Sequence, residues 1–192
     1  MNMALRSNRG IGAFPLIVLL MVVLAGALFL FRSWRSGAER EEARGTASVP
    51  AAGPAGSMIA PPFALKDVSG NIYSSSRFAG KPTVINFFAT WCPPCREEIP
   101  GFVEVYNKHR EKGFELIGIS LDTDTRKNLP GFLMSHRIEY KVLFGDLATA
   151  RAYGGVSSIP TTFFIGKDGR IRNVHVGYIG KEDFDREVRK LL

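Results

Sequence analysis

Cys92 and Cys95 are the only two cysteines of this 192-residue chain, and Pro93-Pro94 separates them. A disulfide scaffold would use more cysteines and spread them more widely. One close pair points instead to redox chemistry or to half of a metal site. Tetrahedral zinc takes four ligands, commonly Cys and His. His109, His136 and His175 are the remaining soft partners, and none stands at ligand spacing to the pair. A static structural disulfide here would close a very small loop and remove little chain entropy. Two cysteines that merely fill a core fit poorly with a Trp91-Cys92-Pro93-Pro94-Cys95 turn. Thiol–disulfide exchange is the chemistry these residues suit best.

The pair needs a scaffold that aims it. Thr83 to Ala89 (TVINFFA) is a continuous apolar, β-branched and aromatic run, the pattern of a central buried strand. A short loop follows, and Arg96 to Lys112 reads as a helix interrupted by Pro100. A helix N-terminus offers free N–H groups and positive dipole character. A thiol placed there is favoured as thiolate, the attacking species. The spacing makes Cys92 the exposed attacker and Cys95 the shielded thiol that resolves the mixed disulfide.

The rest of the sequence supplies neighbours for that strand. Phe63–Leu65 and Asn71–Tyr73 flank a Ser69-Gly70 turn and suggest a hairpin. Phe114 to Leu121 (FELIGISL) is a second central strand, and Thr125 to His136 reads as a helix. A short strand is expected at Lys141–Phe144 and a helix near Leu147–Tyr153. Strands at Thr161–Ile165 and Ile171–Val176 are joined by the turn Lys167-Asp168-Gly169. Phe184, Val188 and Leu191 repeat at helical spacing in the last segment. Strands alternate with helices and end in a hairpin and a helix, which implies an α/β fold with a mixed central sheet and helices on both faces.

The segment ahead of this domain differs in composition. Residues 1–10 form a short tail. Residues 11–31 carry no charge, and at about 1.5 Å per residue such a run spans roughly 31 Å, the thickness of a bilayer core. Leu28-Phe29-Leu30-Phe31 continues past the small-residue site Ala25-Gly26-Ala27, which favours an uncleaved transmembrane anchor over a signal peptide. Residues 32–58, rich in Ala, Gly, Pro and Ser, read as a flexible linker, and the domain occupies 59–192. The net charge is +7, yet residues 58–192 hold 19 Lys+Arg against 15 Asp+Glu, and the arginine excess lies near the N-terminus. No basic stripe with interleaved aromatics is present, so nucleic acid is not an expected partner. Arginine counting alone mildly favours the cytoplasm for the C-terminal side, but long domains translocate largely regardless of flanking charge.

WCPPC after an apolar strand resembles the thioredoxin superfamily, and more closely the extracytoplasmic TlpA/ResA/DsbE (CcmG) group of membrane-tethered thiol–disulfide oxidoreductases. The resemblance covers roughly residues 59–192. Pro100 falls where the superfamily kinks its active-site helix. Ile159-Pro160 ahead of TTFFI resembles the cis-proline loop, and Gly177 fits the glycine beside the substrate groove. The long segment 121–153 is similar to the insertion this group carries. The resemblance implies substrate contacts for Trp91, Pro93, Pro94, Ile159, Pro160 and Gly177. Where thioredoxins place a buried Asp, this chain has Asn86, which cannot titrate. Glu98, three residues after Cys95, matches the acidic position of the group, and a proton-handling role is expected for it. A first-turn acid favoured by the helix dipole is the plainer account of the same residue.

Pro93 and Pro94 have no N–H. Two donors that could face the Cys92 sulfur are therefore missing, which predicts a less stabilised thiolate and a more reducing pair. The expected protein is an extracytoplasmic reductant at the inner membrane, facing the periplasm. It would be recharged by a membrane thiol-reducing donor and would need no cofactor beyond its own disulfide. Resemblance suggests client disulfides such as the CxxCH haem-attachment cysteines of apocytochrome c, or copper-site cysteines. An oxidant or isomerase of secreted proteins, a thiol peroxidase using Thr90 and Arg96, and a redox-inactive binding module are the alternatives.

Overall fold

A computed structural model describes residues 58–192 of the chain. The expected tail, transmembrane anchor and nearly all of the linker lie outside the described residues. Among those described, no helix is long and apolar enough to cross a membrane.

The centre of the fold is β3 (Thr83–Phe88), every residue of which is buried. Alternate side chains of a strand point to opposite faces, so Val84, Asn86 and Phe88 face one layer while Ile85 and Phe87 face the other. Each fully buried Val, Ile or Phe contributes about 1.5–3 kcal/mol, which explains why this apolar run takes the middle of the sheet. β4 (Glu115–Ser120) pairs parallel to β3, and β6 (Thr161–Ile165) pairs antiparallel on its other side. With β1 (Ala64–Asp67), β2 (Ile72–Ser74), β5 (Lys141–Phe144) and β7 (Ile171–Val176), the sheet runs β2-β1-β5-β4-β3-β6-β7. Gly118 sits where a Cβ would lie 3.0 Å from the Phe88 ring and 3.2 Å from Val142, so the bare backbone lets three strands close up around it.

Helix α1 (Pro93–His109) buries Cys95, Glu98, Ile99, Phe102 and Val105 at spacings of three and four. It begins earlier than Arg96 because proline suits the first helical positions, where its missing N–H would be unpaired anyway. Pro100 is accommodated inside it. The expected helix over Thr125–His136 is split, with a 3-10 turn at Arg126–Asn128 and then α2 (Leu129–Ser135), in whose first turn Pro130 lies. After α3 (Leu147–Ala152) the chain returns to β6, and α4 (Lys181–Leu191) packs on α1 with the Phe102 and Phe184 rings stacked 3.9 Å apart. Phe88, Phe102, Phe164 and Phe184 anchor the core on this face, while Phe87, Tyr153 and Phe163 form an aromatic cluster on the other.

The described chain enters along the β6–β7 turn. Ile59 bridges Arg170, the Ala60 N–H donates to the Gly169 carbonyl at 2.9 Å, and the Ile171 N–H donates to the Met58 carbonyl at 2.9 Å. That turn is at the end of the sheet opposite the C-terminus of β3.

Candidate active site

β3 delivers the chain to a tight turn in which the Cys92 N–H donates to the Ala89 carbonyl at 3.2 Å. Cys92 is then the N-cap of α1, with the extended backbone that position favours. Cys92 and Cys95 form a disulfide with Cα atoms 5.3 Å apart, within the ordinary range. The Cys92 sulfur accepts from the Cys95 N–H at 3.4 Å. Pro93 and Pro94 fill the two helical positions between them, so the expected loss of donors on the attacking sulfur is what the geometry provides.

Exposure of Cys92 differs from the sequence expectation. It is only 3% exposed, and Cys95 is wholly buried. The reason comes from a distant segment. The Ile159–Pro160 peptide is cis, and this loop brings the Ile159 carbonyl oxygen to 3.8 Å from the Cys92 sulfur. In the disulfide that sulfur has no proton to donate, so this is a packing contact. As a thiol, it would point its proton there. Trp91, by contrast, is 60% exposed and stands at the surface one residue before the attacker. Pro93 is exposed and Pro94 half-buried. Gly177 has φ +94°, and its N–H donates to the Pro160 carbonyl at 2.8 Å. The left-handed backbone there favours glycine. The expected substrate-contact residues thus lie in the active-site turn and the cis-proline loop, with Gly177 held to that loop.

Glu98 is buried under the pair, one helical turn beyond Cys95, and is 2% exposed. Its Oε1 accepts from Asn86 Nδ2 at 2.9 Å and its Oε2 from the Ile179 N–H at 3.3 Å. Asn86 Nδ2 also donates to Thr162 Oγ1 at 3.0 Å. Burial pushes the Glu98 carboxyl up to about 8, and the two hydrogen bonds only partly offset this. An exposed first-turn acid would show no such environment. Asn86, which cannot titrate, orients the Glu98 carboxyl through its amide.

Sequence reasoning missed Asp122. This carboxylate, 1% exposed, accepts the Thr90 N–H at 3.0 Å, the Thr90 hydroxyl at 2.6 Å and the Ser120 hydroxyl at 2.7 Å, together with the hydroxyl of Thr125. Burial alone would raise its pKa, but the hydrogen bonds overturn that and hold it below the usual carboxylate range. The available signal was an acid ending an apolar strand among Ser and Thr, and nothing local in the sequence connected it to Thr90.

Two cavities, of about 700 and 510 Å³, lie around Gly166–Asp168 at the far end of the sheet, and neither is lined by the redox pair. Among the described residues, no cluster of three or more His, Cys, Asp or Glu could hold a metal ion.

Residues 57–174 match the AhpC/TSA family. The chain is 28% identical over 176 residues to the thiol–disulfide oxidoreductase ResA of Bacillus cereus, covering 91% of this chain and 94% of that protein. It is 32% identical over 132 residues to ResA of Bacillus thuringiensis, covering 69% and 76%. A crystal structure of a thioredoxin-family thiol:disulfide interchange protein from Chlorobium tepidum superposes with a TM-score of 0.65 at 37% identity, covering 70% of this chain and 95% of that one. With a CxxC disulfide capping a helix, the Ile159 carbonyl of a cis-proline loop against its sulfur and these relatives, the chain belongs to the AhpC/TSA family as a thioredoxin-like thiol–disulfide oxidoreductase.

Proposed function

We propose that the protein works outside the cytoplasm as a reductant of client disulfides, with the haem-site cysteines of apocytochrome c as the leading client class. The observation that carries the reductant reading is the poor solvation of the attacking sulfur, which is buried and accepts a single N–H, from Cys95. A thiolate with few donors is less stabilised, which favours the disulfide form and lowers the reduction potential.

The cycle balances over two electrons. The Cys92 thiolate attacks one client sulfur, a Cys92–client bond forms, and the other client sulfur leaves as thiolate. The Cys95 thiol then loses its proton, for which Glu98 is the adjacent base, and attacks the Cys92 sulfur. The second client thiol departs, the client is reduced, and the Cys92–Cys95 disulfide is restored. A membrane thiol donor returns the two electrons. The apolar run at 11–31 supports an anchored protein, and the disulfide chemistry of the domain supports the extracytoplasmic side. The hydroxyl of Thr90 is committed to Asp122, which argues against the peroxidase alternative, where it would be needed at the peroxide.

The test combines a trap with a potential. A Cys95→Ser full-length chain should accumulate mixed disulfides with apocytochrome c bearing an oxidised CxxCH. The wild-type pair should equilibrate near or below about −250 mV, close to thioredoxin's value. A potential near about −120 mV would instead make the protein an oxidant.

A further inference from the structure

Two buried carboxylates flank the redox turn, and they sit in opposite environments. Glu98 lies on the Cys95 side among apolar groups, with one side-chain amide and one backbone N–H. Asp122 lies on the Cys92 side, at the end of β4, and receives four donors from three segments. Carboxylates pushed apart in this way take different roles, one exchanging a proton and one staying charged. None of the groups bonded to Asp122 carries a charge. Arg126, four residues on, donates to the Gly145 carbonyl at 3.1 Å and lies over the Phe144 ring at 4.7 Å. The donors disperse the Asp122 charge without neutralising it.

Thr90, which gives Asp122 two of those donors, is two residues before Cys92. That is at most about 7 Å of chain, and the turn from Ala89 to Cys92 shortens it further. One 3.0 Å hydrogen bond beyond the Thr90 N–H, the Asp122 carboxylate is thus within roughly 10 Å of the Cys92 backbone, and a buried negative charge at that range opposes formation of the Cys92 thiolate. We propose that Asp122 is a positioning residue with an electrostatic effect: it fixes the Thr90–Cys92 turn and, as a permanent buried anion, makes the Cys92–Cys95 pair more reducing. The inference rests on the reading of the pair as a thiol–disulfide exchange centre.

Reduction of the disulfide takes up two electrons and two protons to give the dithiol. Above the Cys92 pKa one of these protons is lost again, and Cys92 then carries the charge that Asp122 opposes. The effect of Asp122 on the redox equilibrium must therefore depend on pH. The experiment equilibrates the full-length wild-type and Asp122→Asn chains in glutathione buffers from about pH 5 to about pH 9, a span that brackets ordinary thiol titration. At the alkaline end the variant should favour the dithiol by about five- to tenfold, and tenfold is about 30 mV for this couple. The two curves should converge at the acid end, and the variant's Cys92 should alkylate at lower pH. Thr90→Val keeps the anion and removes one tether, so it should not reproduce the pH-dependent shift.

An unchanged equilibrium at the alkaline end would overturn the proposal. So would a shift of equal size at both ends, the sign of a merely structural role, or the same pH-dependent shift in Thr90→Val. If Asp122→Asn does not fold, carbon-13 titration of the wild-type Asp122 carboxyl decides. It should stay ionised down to about pH 4, the ordinary carboxylate value, and a midpoint above that would overturn the proposal. A wild type that exchanges no disulfide would remove the underlying reading. Asp122 fails separately, when the wild type exchanges normally and the variant does not differ.

Discussion

At the scale of single residues, Glu98 makes the sharpest prediction. A base near the operating pH is the efficient choice for moving a thiol proton, and such groups contribute roughly 10²–10⁴-fold in rate. With its carboxyl pushed up to about 8, the resolving step should accelerate as pH rises toward that value. Glu98→Gln should slow resolution at least about 100-fold and lose this rise, read by stopped-flow release of the client thiol. Stability carries the opposite sign. Unfolded, Glu98 releases its proton near 4.5, and folded it does so near 8. Between these values the fold holds a proton that the unfolded chain has lost, so the stability is fully present below 4.5 and declines as pH climbs through 8. Denaturant curves of Glu98→Gln should be flat over that window. Residues of this kind were unevenly legible. Cys92 and Cys95 could be read from their own spacing, whereas Pro160 and Glu98 stood out only through the family resemblance of their positions. The burial of Cys92 could not, since it depends on a loop 67 residues away. Asp122 was invisible for the same reason, its partner Thr90 being 32 residues distant.

At the scale of elements, the start of α1 matters most. A helix N-cap side chain accepts from the second or third residue of the helix. Cys95 is the third and does donate to the Cys92 sulfur, whereas Pro94 is the second and cannot. Pro94→Ala should supply the missing donor and move the dithiol–disulfide equilibrium about tenfold toward the dithiol, or about 30 mV less negative. Pro93→Ala, at the first position, should move it much less. Redox titration of both variants checks this. The strands were legible from their apolar runs, and β3 and β6 came within a residue of expectation. The helix starts were harder. Proline reads as a breaker in a sequence, yet Pro93 and Pro94 of α1 and Pro130 of α2 occupy the first turn, where a missing N–H costs little, and among the described residues only Pro100 lies inside a helix.

At the scale of the whole molecule, one sheet separates two cores, and the redox turn sits at the sheet's end over the first of them. The stacked Phe102 and Phe184 rings join the active-site helix to α4 in that core. Phe184→Ala should cost about 3–5 kcal/mol, lowering the denaturation midpoint without changing the slope of the transition. The described chain, for its part, begins at the other end, strapped to the β6–β7 turn by Met58, Ile59 and Ala60. The five residues of β6 put about 16 Å between that strap and the cis-proline loop. The first described residues are thus tied down at the end of the sheet away from the redox turn, and the backbone hydrogen bonds of Met58 and Ala60 order them without occupying the space beside Cys92.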